Sequence, residues 1–267
     1  MNVQYVRDLQ DPRLRHYRNL KDRQLAREGG VFLVEGEHGV RRLLESDFEV
    51  ASLLVAARRL EKVSAWTDDS VPIYIVEDGM IHDVVGFKFH SGILACGRRP
   101  AAANLDEVIG RTVGDDGPVT FVVCPQVLNH ENLGSLMRTS AALGADAMVI
   151  GPESCDPFWR RAIRVSMGAV FRLPLCVSRD LAADLERLRD EWSFDLVATV
   201  ADDGEPLATA TRHTRTALLF GSESQGLDNR TLRLCNRRVT IPMRHGIDSL
   251  NVTVAAAVIL HHFQTLR

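Results

Sequence analysis

The chain has 267 residues, 45% of them hydrophobic and 25% charged, which is the composition of a globular protein with one large domain or two small ones. No apolar run reaches the ~18 residues that a membrane-spanning helix needs, and the N-terminus has no apolar signal core, so we expect a cytoplasmic protein. The net charge of −3 argues against a chain that is basic over its whole surface, as many nucleic-acid binders are.

The positive charge is concentrated at the N-terminus. Residues 1–30 carry seven Lys and Arg against four Asp and Glu. Such a cluster can bind a phosphate backbone even in a chain of negative net charge. A solvated helix face would give the same pattern, so this feature alone leaves both interpretations open.

The cysteines indicate reduced, mostly structural thiols. They are odd in number and form no CxxC pair, so we expect neither a disulfide framework nor a zinc site; the five are Cys96, Cys124, Cys155, Cys176 and Cys235.

The first third of the chain predicts a small α/β domain over residues 1–97. Strands alternate with helices there, and the pattern ends in a basic segment that contains proline and small residues, predicted to be a linker over 98–117. The predicted elements are a charged helix over 7–28, strands at 31–36, 50–56, 73–76 and 92–96, and helices at 39–45 and 58–66.

The remaining residues, 118–267, predict a second α/β domain. Its strands are almost continuously apolar, which is typical of a parallel sheet covered by helices on both faces. The predicted strands are 119–124, 147–150, 175–177, 196–200, 217–220 and 239–241, and the predicted helices are 132–143, 158–169, 181–192 and 250–266.

Three polar, glycine- or asparagine-bearing segments interrupt this second domain, two of them where a strand should end. They cover residues 132–138, 218–227 and 241–252. Ligands of open α/β sheets bind at the carboxyl ends of the strands, so we expect one site built from these segments.

Several common sites are excluded. No GxGxxG follows a strand, which argues against a dinucleotide site. The glycines Gly221 and Gly226 resemble a phosphate loop, but Leu227 and Asp228 follow where Lys and Ser or Thr are required. GxSxG and HExxH are absent, and the histidines are scattered, so no metal is expected.

Taken together, the three segments resemble the signatures of the SpoU (TrmH-type) family of RNA ribose 2′-O-methyltransferases, in the SPOUT superfamily. The first signature reads Asn-Leu-Gly-Ser-Leu-Met-Arg over 132–138, and the second reads Leu-Phe-Gly-Ser-Glu-Ser-Gln-Gly-Leu over 219–227. The third is Ile-Pro-Met at 241–243 followed by Ser-Leu-Asn-Val at 249–252. Residues 164–174 are similar to the family's intervening segment, so the resemblance spans about 119–267.

The resemblance implies a deep trefoil knot in residues 118–267, S-adenosylmethionine as cofactor, and a homodimer whose active site uses both subunits. Residues 20–36 are similar to an RNA-binding domain with a ribosomal protein fold that many members carry. This implies that residues 1–97 bind the RNA substrate, with ribosomal RNA favoured over transfer RNA.

The resemblance also assigns the cofactor contacts. Main-chain groups of Gly221, Ile241 and Leu250 would hold the cofactor, Met243 and Leu227 would wall the adenine, and Gly226 would close the turn that lets the backbone come close. The alternative is that these glycines serve only as turn residues; the agreement of separate segments favours the cofactor site.

Arg138 is the residue that the resemblance places at the reacting hydroxyl. A guanidinium stays protonated, so its expected role is to bind a phosphate and stabilise negative charge on the 2′-oxygen. The other expected catalytic residues are Asn132, Glu223, Ser249 and Asn251. A surface ion pair is the alternative for Arg138, and a helix cap is the alternative for Asn132. We also expect Ser249 to cap the last helix and Asn251 to lie in its first turn.

One departure from the family pattern concerns the segment before the first signature. The family usually has an Asp-Pro pair there, whereas this chain has Pro125 followed by residues 126–131, which leaves the RNA contacts of the 125–131 loop undefined. The alternatives that remain open are a tRNA methyltransferase, an antibiotic-resistance rRNA methyltransferase and a non-catalytic RNA-binding module. A small-molecule methyltransferase would leave residues 1–97 without a purpose.

Overall fold

The computed structural model describes residues 2–18, 30–67, 69–114, 117–222 and 225–266. They divide into two compact units. The first unit comprises Met1–Ala101 together with Phe158–Phe171, and the second comprises Ala102–Pro157 together with Arg172–Arg267. No helix within the described ranges is long and apolar enough to cross a membrane.

The strands of the described residues are numbered in chain order. They are β1 Val3–Tyr5, β2 Val31–Glu35, β3 Val50–Ala56, β4 Ile73–Val76, β5 Ile93–Arg98, β6 Val119–Cys124, β7 Ala147–Ile150, β8 Leu175–Val177, β9 Asp195–Val200, β10 Glu205–Pro206, β11 Arg215–Leu219 and β12 Arg237–Thr240.

The α-helices follow in the same order. They are α1 Glu37–Leu44, α2 Leu60–Ser64, α3 Met80–Val85, α4 Leu105–Thr112, α5 His130–Ala142, α6 Arg160–Val165, α7 Leu181–Asp190, α8 Asn229–Leu234 and α9 Val252–Thr265.

The first unit is built on a mixed sheet of order β1-β4-β3-β5-β2. Strands β1, β4 and β3 are parallel, and β5 runs antiparallel to both β3 and β2. Its core includes Tyr17, whose hydroxyl contacts the Ser52 hydroxyl at 2.7 Å and donates to the Ser52 carbonyl at 2.9 Å. The predicted small α/β domain is therefore confirmed.

The predicted helix over 7–28 is wrong in its described part. Residues 12–17 form a 3-10 helix, and the residue after it, Arg18, is extended. The Asp11 side chain accepts a hydrogen bond from the Arg13 amide at 2.9 Å, and Pro12 supplies the fixed φ that suits a helix start. The rest of this predicted helix, residues 19–28, lies outside the described residues.

The segment Phe158–Phe171 packs within the first unit. The ring of Phe32 lies 5.3 Å from that of Phe158 and 5.7 Å from that of Phe171, measured between centroids. The predicted helix over 158–169 is shortened to α6. Met167 and Gly168 take φ values of +53° and +79°, and such left-handed backbone cannot continue an α-helix.

The second unit is built on a sheet whose described strands all run parallel, in the order β10-β12-β9-β11-β6-β7-β8. The predicted parallel α/β fold is confirmed. The side chains of Phe121, Val123 and Leu219 face one core together with Leu105 and Leu185 of α4 and α7. Alternate side chains of a strand point to opposite faces.

The opposite face of this sheet is covered by α5 and α9, which pack against each other. Both helices bury apolar side chains, Leu133, Leu136 and Met137 in α5 and Ile259 and Phe263 in α9. Helices on both faces explain why these strands are apolar along their whole length.

Several elements were not predicted. Helix α4 lies inside residues 98–117, which the sequence predicted as a linker, and Leu105, Val108 and Ile109 place its apolar side in the core of the second unit. The short strands β1 and β10 and the short helices α3 and α8 were also missed.

Candidate active site

The predicted segments begin at one edge of the parallel sheet. β6, β11 and β12 run in the same direction, so their carboxyl ends share that edge. The first segment follows β6, the second follows β11 and the third follows β12. Only β9 separates β11 from β12, and β6 pairs directly with β11.

The second segment closes into a small ring after β11. The Ser222 amide donates to the Gly226 carbonyl at 3.0 Å, and the Gly226 amide donates to the Ser222 carbonyl at 2.9 Å. Gly226 has a φ of +66°, and no atom lies within 4 Å of where its side chain would begin. The main chain at Gly226 is therefore open to a ligand.

The ring folds back onto the strand end at Gly221. A Cβ at position 221 would lie 2.2 Å from the carbonyl carbon of Gly226 and 2.4 Å from the amide nitrogen of Leu227. Only glycine fits at position 221, because a Cβ there would overlap the backbone of residues 226 and 227. Leu227 itself is 8% exposed and packs its side chain in the core of the unit, so only its main chain is available to a ligand.

The third segment leads from β12 to α9. Ile241 and Met243 are half-buried, whereas Ser249 and Leu250 are exposed. The predicted capping role of Ser249 is wrong, because Asn251 is the N-cap of α9 and accepts a hydrogen bond from the Thr253 amide at 2.9 Å. Asn251 therefore precedes the first turn of the helix.

The first segment forms the beginning of α5. The cap of this helix is Asn129, which accepts from the Glu131 amide at 2.8 Å, so the alternative role of Asn132 as a cap is excluded. Asn132 is the third residue of the helix. Its side-chain oxygen accepts a hydrogen bond from the Asn251 amide group at 3.4 Å, which joins the first and third segments.

Arg138 lies on a different side of α5. Six residues separate it from Asn132, which corresponds to about 9 Å along the helix and about 120° around it. Its side chain is exposed, and it forms no hydrogen bond or ion pair with any residue in the described ranges. Arg138 is thus presented to solvent, while Asn132 faces Asn251.

Glu223 lies outside the described residues. The structure thus brings together Gly221, Gly226 and the main chain of Leu227 in one loop, and joins Asn132 to Asn251. Ile241, Met243, Ser249 and Leu250 lie on the segment that leads into Asn251.

The loop that departs from the family pattern is held in place by the loop that follows the neighbouring strand β7. The Val127 amide donates to the Ser154 hydroxyl at 3.0 Å, and the Cys155 amide donates to the Val127 carbonyl at 2.8 Å. Val127 is 1% exposed, whereas Leu128 is 62% exposed. This anchoring gives no signal in the sequence, whereas the Asn129 cap could have been found from its position before an apolar-periodic run.

Asp228, directly after the second segment, caps helix α8. Hydrogen bonds from the backbone amide of Thr231 are the main cause of the lowered pKa of this carboxyl group. Among the described residues, no group of three or more His, Cys, Asp or Glu could hold a metal ion. The site offers main-chain groups and neutral amides, which suit a polar organic ligand, while Arg138 lies apart from them on α5.

Solved structures share this architecture over the whole chain. The AdoMet-bound rRNA methyltransferase of Sinorhizobium meliloti superposes with a TM-score of 0.83 at 23% identity, covering 99% of this chain and 98% of the other. At this identity the likeness concerns the fold alone.

Relatives in sequence give the family. Residues 120–261 match the SpoU rRNA Methylase family, and residues 11–95 match the MRM3-like substrate binding domain. An uncharacterized tRNA/rRNA methyltransferase of Mycobacterium bovis is 38% identical over 97% of this chain and 90% of its own length. The 23S rRNA (guanosine(2553)-2′-O)-methyltransferase RlmP of Bacillus subtilis is 24% identical over 98% of this chain and 100% of its own length.

The chain belongs to the SpoU rRNA methylase family. The predicted family is thereby confirmed, and so is the prediction of an RNA methyltransferase that uses S-adenosylmethionine.

Proposed function

We propose that the protein transfers the methyl group of S-adenosylmethionine to a ribose 2′-hydroxyl of ribosomal RNA. The observation that carries the proposal is the hydrogen bond between Asn132 and Asn251, which joins the first and third family signatures at the sheet edge that also bears the glycine ring of the second. RlmP of Bacillus subtilis, a relative aligned over 98% of this chain, is named as a 23S rRNA guanosine 2′-O-methyltransferase, which supports ribosomal RNA as the substrate.

The cofactor is assigned to the loop after β11 and the segment after β12. Main-chain groups of Gly221, Gly226 and Leu227 form one wall, with Ile241 and Met243 leading away from the neighbouring strand end. The open space beside Gly226 supports this assignment, because a planar base can lie against a backbone without Cβ atoms. When bound, the sulfonium supplies an activated methyl group to the ribose oxygen.

The residues at the helix starts are assigned to the RNA. Asn132, Ser249 and Asn251 would orient the ribose and its phosphate. Glu223 completes the proposed catalytic residues, and Leu250 completes the proposed cofactor contacts. Alignment of the two reactants supplies several kcal/mol of the barrier, about 7–11 at most. With the cofactor bound, the new O–CH₃ bond would form as the C–S bond breaks, the hydroxyl proton would be released to water, and the neutral thioether S-adenosylhomocysteine would be left to dissociate.

Arg138 is assigned to the charge that develops on the 2′-oxygen and to the adjacent phosphate. Its position about 120° around α5 from Asn132 directs it away from the Asn132–Asn251 pair of its own chain. A second copy of the chain would place this exposed guanidinium at the partner's site.

A homodimer is part of the proposal. Three apolar side chains at a spacing of four residues are exposed here: Leu250, which precedes the N-cap of α9, by 38%, and Val254 and Val258 within the helix by 49% and 41%. Such a stripe beside a site is a candidate interface between copies. The proposal also includes a deep trefoil knot in residues 118–267, RNA binding by residues 1–97 and a cytoplasmic location. The family and the match to a substrate-binding domain support these points.

The test is methyl transfer from labelled S-adenosylmethionine to total ribosomal and transfer RNA from cells that lack the gene, with Arg138→Ala beside the wild type. We expect label in ribosomal RNA, recovered as an alkali-resistant dinucleotide, and its loss in the variant. Label in transfer RNA would instead establish the tRNA alternative.

The modified-site map separates a housekeeping role from antibiotic resistance, because resistance requires one nucleotide in a drug-binding site. Cofactor binding measured by calorimetry without label in either RNA would contradict the proposed substrate. Absence of cofactor binding would support the non-catalytic RNA-binding module.

A further inference from the structure

The third segment contains a tight turn whose backbone is unusual for its residues. The Ile247 amide donates to the Arg244 carbonyl at 3.2 Å, and the two residues between them, His245 and Gly246, have φ values of +59° and +70°. Positive φ at both central positions defines a type I′ turn, which asparagine, aspartate and glycine normally occupy. His245 thus holds a left-handed conformation that glycine adopts without strain.

The side chains of this turn point to solvent. Arg244 and His245 are exposed, and Ile247 is 58% exposed. Within the described ranges, neither Arg244 nor His245 forms a hydrogen bond or ion pair, and the nearby carboxylate of Asp248 is exposed as well. Among the described residues, no hydrogen bond or ion pair of the turn offsets the conformational cost of the histidine backbone. Backbone strain of this kind clusters at functional sites.

The turn is placed between two parts of the candidate site. It comes directly after Met243, which is assigned to the cofactor, and shortly before Ser249, which leads into the Asn132–Asn251 pair. A cation, an imidazole and an apolar side chain on such a turn match the groups of RNA: phosphate binds arginine, and bases stack on imidazole and aliphatic surfaces.

We propose that residues 244–247 form a substrate-contacting turn, in which Arg244 binds a phosphate of the RNA and His245 packs against a base next to the methylated nucleotide. This inference rests on the proposed function. It adds two RNA-contacting residues outside the family signatures, and it explains why glycine is absent from the first central position of the turn.

The experiment compares Arg244→Ala and His245→Gly with wild type in steady-state methylation of ribosomal RNA. The Arg244→Ala variant should raise KM for RNA about tenfold, because a charge-assisted bond is lost, and should lower the salt dependence of RNA binding by about one phosphate contact. Arg244→Lys keeps the charge and should recover most of the affinity. The cofactor affinity should not change in any of these variants.

His245→Gly is the decisive variant because it relieves the backbone while removing the side chain. We expect its melting temperature to equal or exceed that of wild type while its KM for RNA rises. Arg111→Ala, an exposed arginine in the last turn of α4 just before the amino end of β6, is the matched control and should leave KM unchanged.

Unchanged KM in both turn variants, with active wild type, would overturn the inference and leave the proposed function intact. Inactive wild type would count against the proposed function. The affinity of the same variants for RNA would then be measured directly, and affinities equal to that of wild type would overturn the inference. A change of oligomeric state in either variant would overturn it by assigning the turn to a contact between copies.

Discussion

Gly221 lies against Gly226 so closely that a side-chain carbon at position 221 would sit 2.2 Å from the carbonyl carbon of residue 226. The contact closes the loop after β11 onto the end of the strand. It sets where the backbone amides of the second signature lie, and these amides are the groups assigned to the cofactor.

Gly221→Ala should therefore abolish cofactor binding. The added carbon meets backbone atoms on both sides of the peptide between residues 226 and 227, so the loop has to open. Calorimetric titration with S-adenosylmethionine should show at least a hundredfold loss of affinity, about 3 kcal/mol. Gly110→Ala in α4 is the control: no atom lies within 4 Å of its added carbon, and alanine in a helix should stabilise by about 0.5–1 kcal/mol. Normal binding by Gly221→Ala would contradict the assigned geometry.

Asn251 has two separable roles, and two substitutions distinguish them. Asn251→Ser keeps a cap for the Thr253 amide but removes the donor to Asn132, so stability should change by less than about 0.5 kcal/mol while kcat falls. Asn251→Ala loses the cap as well and should cost about 1 kcal/mol more. Chemical unfolding beside single-turnover methylation measures both. Full activity of the serine variant would show that the Asn132 contact is not needed.

Arg138→Ala and Gly221→Ala should each be inactive alone. If Arg138 of one copy serves the site of the other, an equal mixture that exchanges subunits forms heterodimers with one intact site. Half of the dimers are then mixed, and each of these has one working site out of two. Activity should therefore return to about a quarter of the wild-type level. The measurement is methylation after mixing. A mixture that stays inactive although mass spectrometry detects heterodimers would assign Arg138 to its own chain.

In the first unit, the Glu35 carboxylate is held by Arg160 at 2.5 Å and Arg164 at 3.1 Å, and its side chain is only 9% exposed. Glu35→Gln removes the counter-charge of Arg160 and Arg164, which are 27% and 56% exposed, and should lower the free energy of unfolding by about 1–3 kcal/mol. Glu45→Gln, which alters the exposed pair with Arg41, should change it by less than about 0.5 kcal/mol. Equal effects in urea unfolding would refute this assignment.

The thiols that burial protects should resist modification in the folded protein. Burial raises the pKa of Cys96 to about 11 and of Cys176 and Cys235 to about 12, from 9.0. At pH 8 these thiols hold almost no thiolate, so half-buried Cys155 should be labelled first by a thiol reagent, as read by mass spectrometry. Because the folded pKa values are raised, their contribution to stability is constant below pH 9 and is lost as the pH rises towards 11–12. Early labelling of Cys176 would contradict its burial.

The sequence predicted several strands with their observed bounds. β4, β6, β7 and β8 are apolar runs between turn residues, and hydrophobic pattern alone defines such strands. The helix α4 was missed because its apolar side has only three residues, within a segment rich in alanine and glycine. The edge strands β1 and β10 are too short to show a pattern.

The candidate site was predicted only in part. The glycine loop could be recognised from residues close together in sequence. The Asn132–Asn251 contact could not, because 119 positions separate the two residues and the contact depends on the order of strands in the sheet. The cap at 251 was assigned to Ser249, two residues earlier, and the cap at 129 was considered only for Asn132, three residues later, because a small error in a helix boundary is enough to move a cap.

The placement of Phe158–Phe171 has a consequence for inheritance. The peptide crosses between the two units after residues 101, 157 and 171, so neither unit can be released by a single cleavage. Suppose that recombination exchanged residues 1–101 for those of another family member. Phe158 and Phe171 would then lose their ring contacts with Phe32, and Arg160 would lose its ion pair with Glu35, unless the incoming segment supplied matching residues. The half that matches a substrate-binding domain and the half that matches a methylase are therefore expected to evolve as one inherited unit.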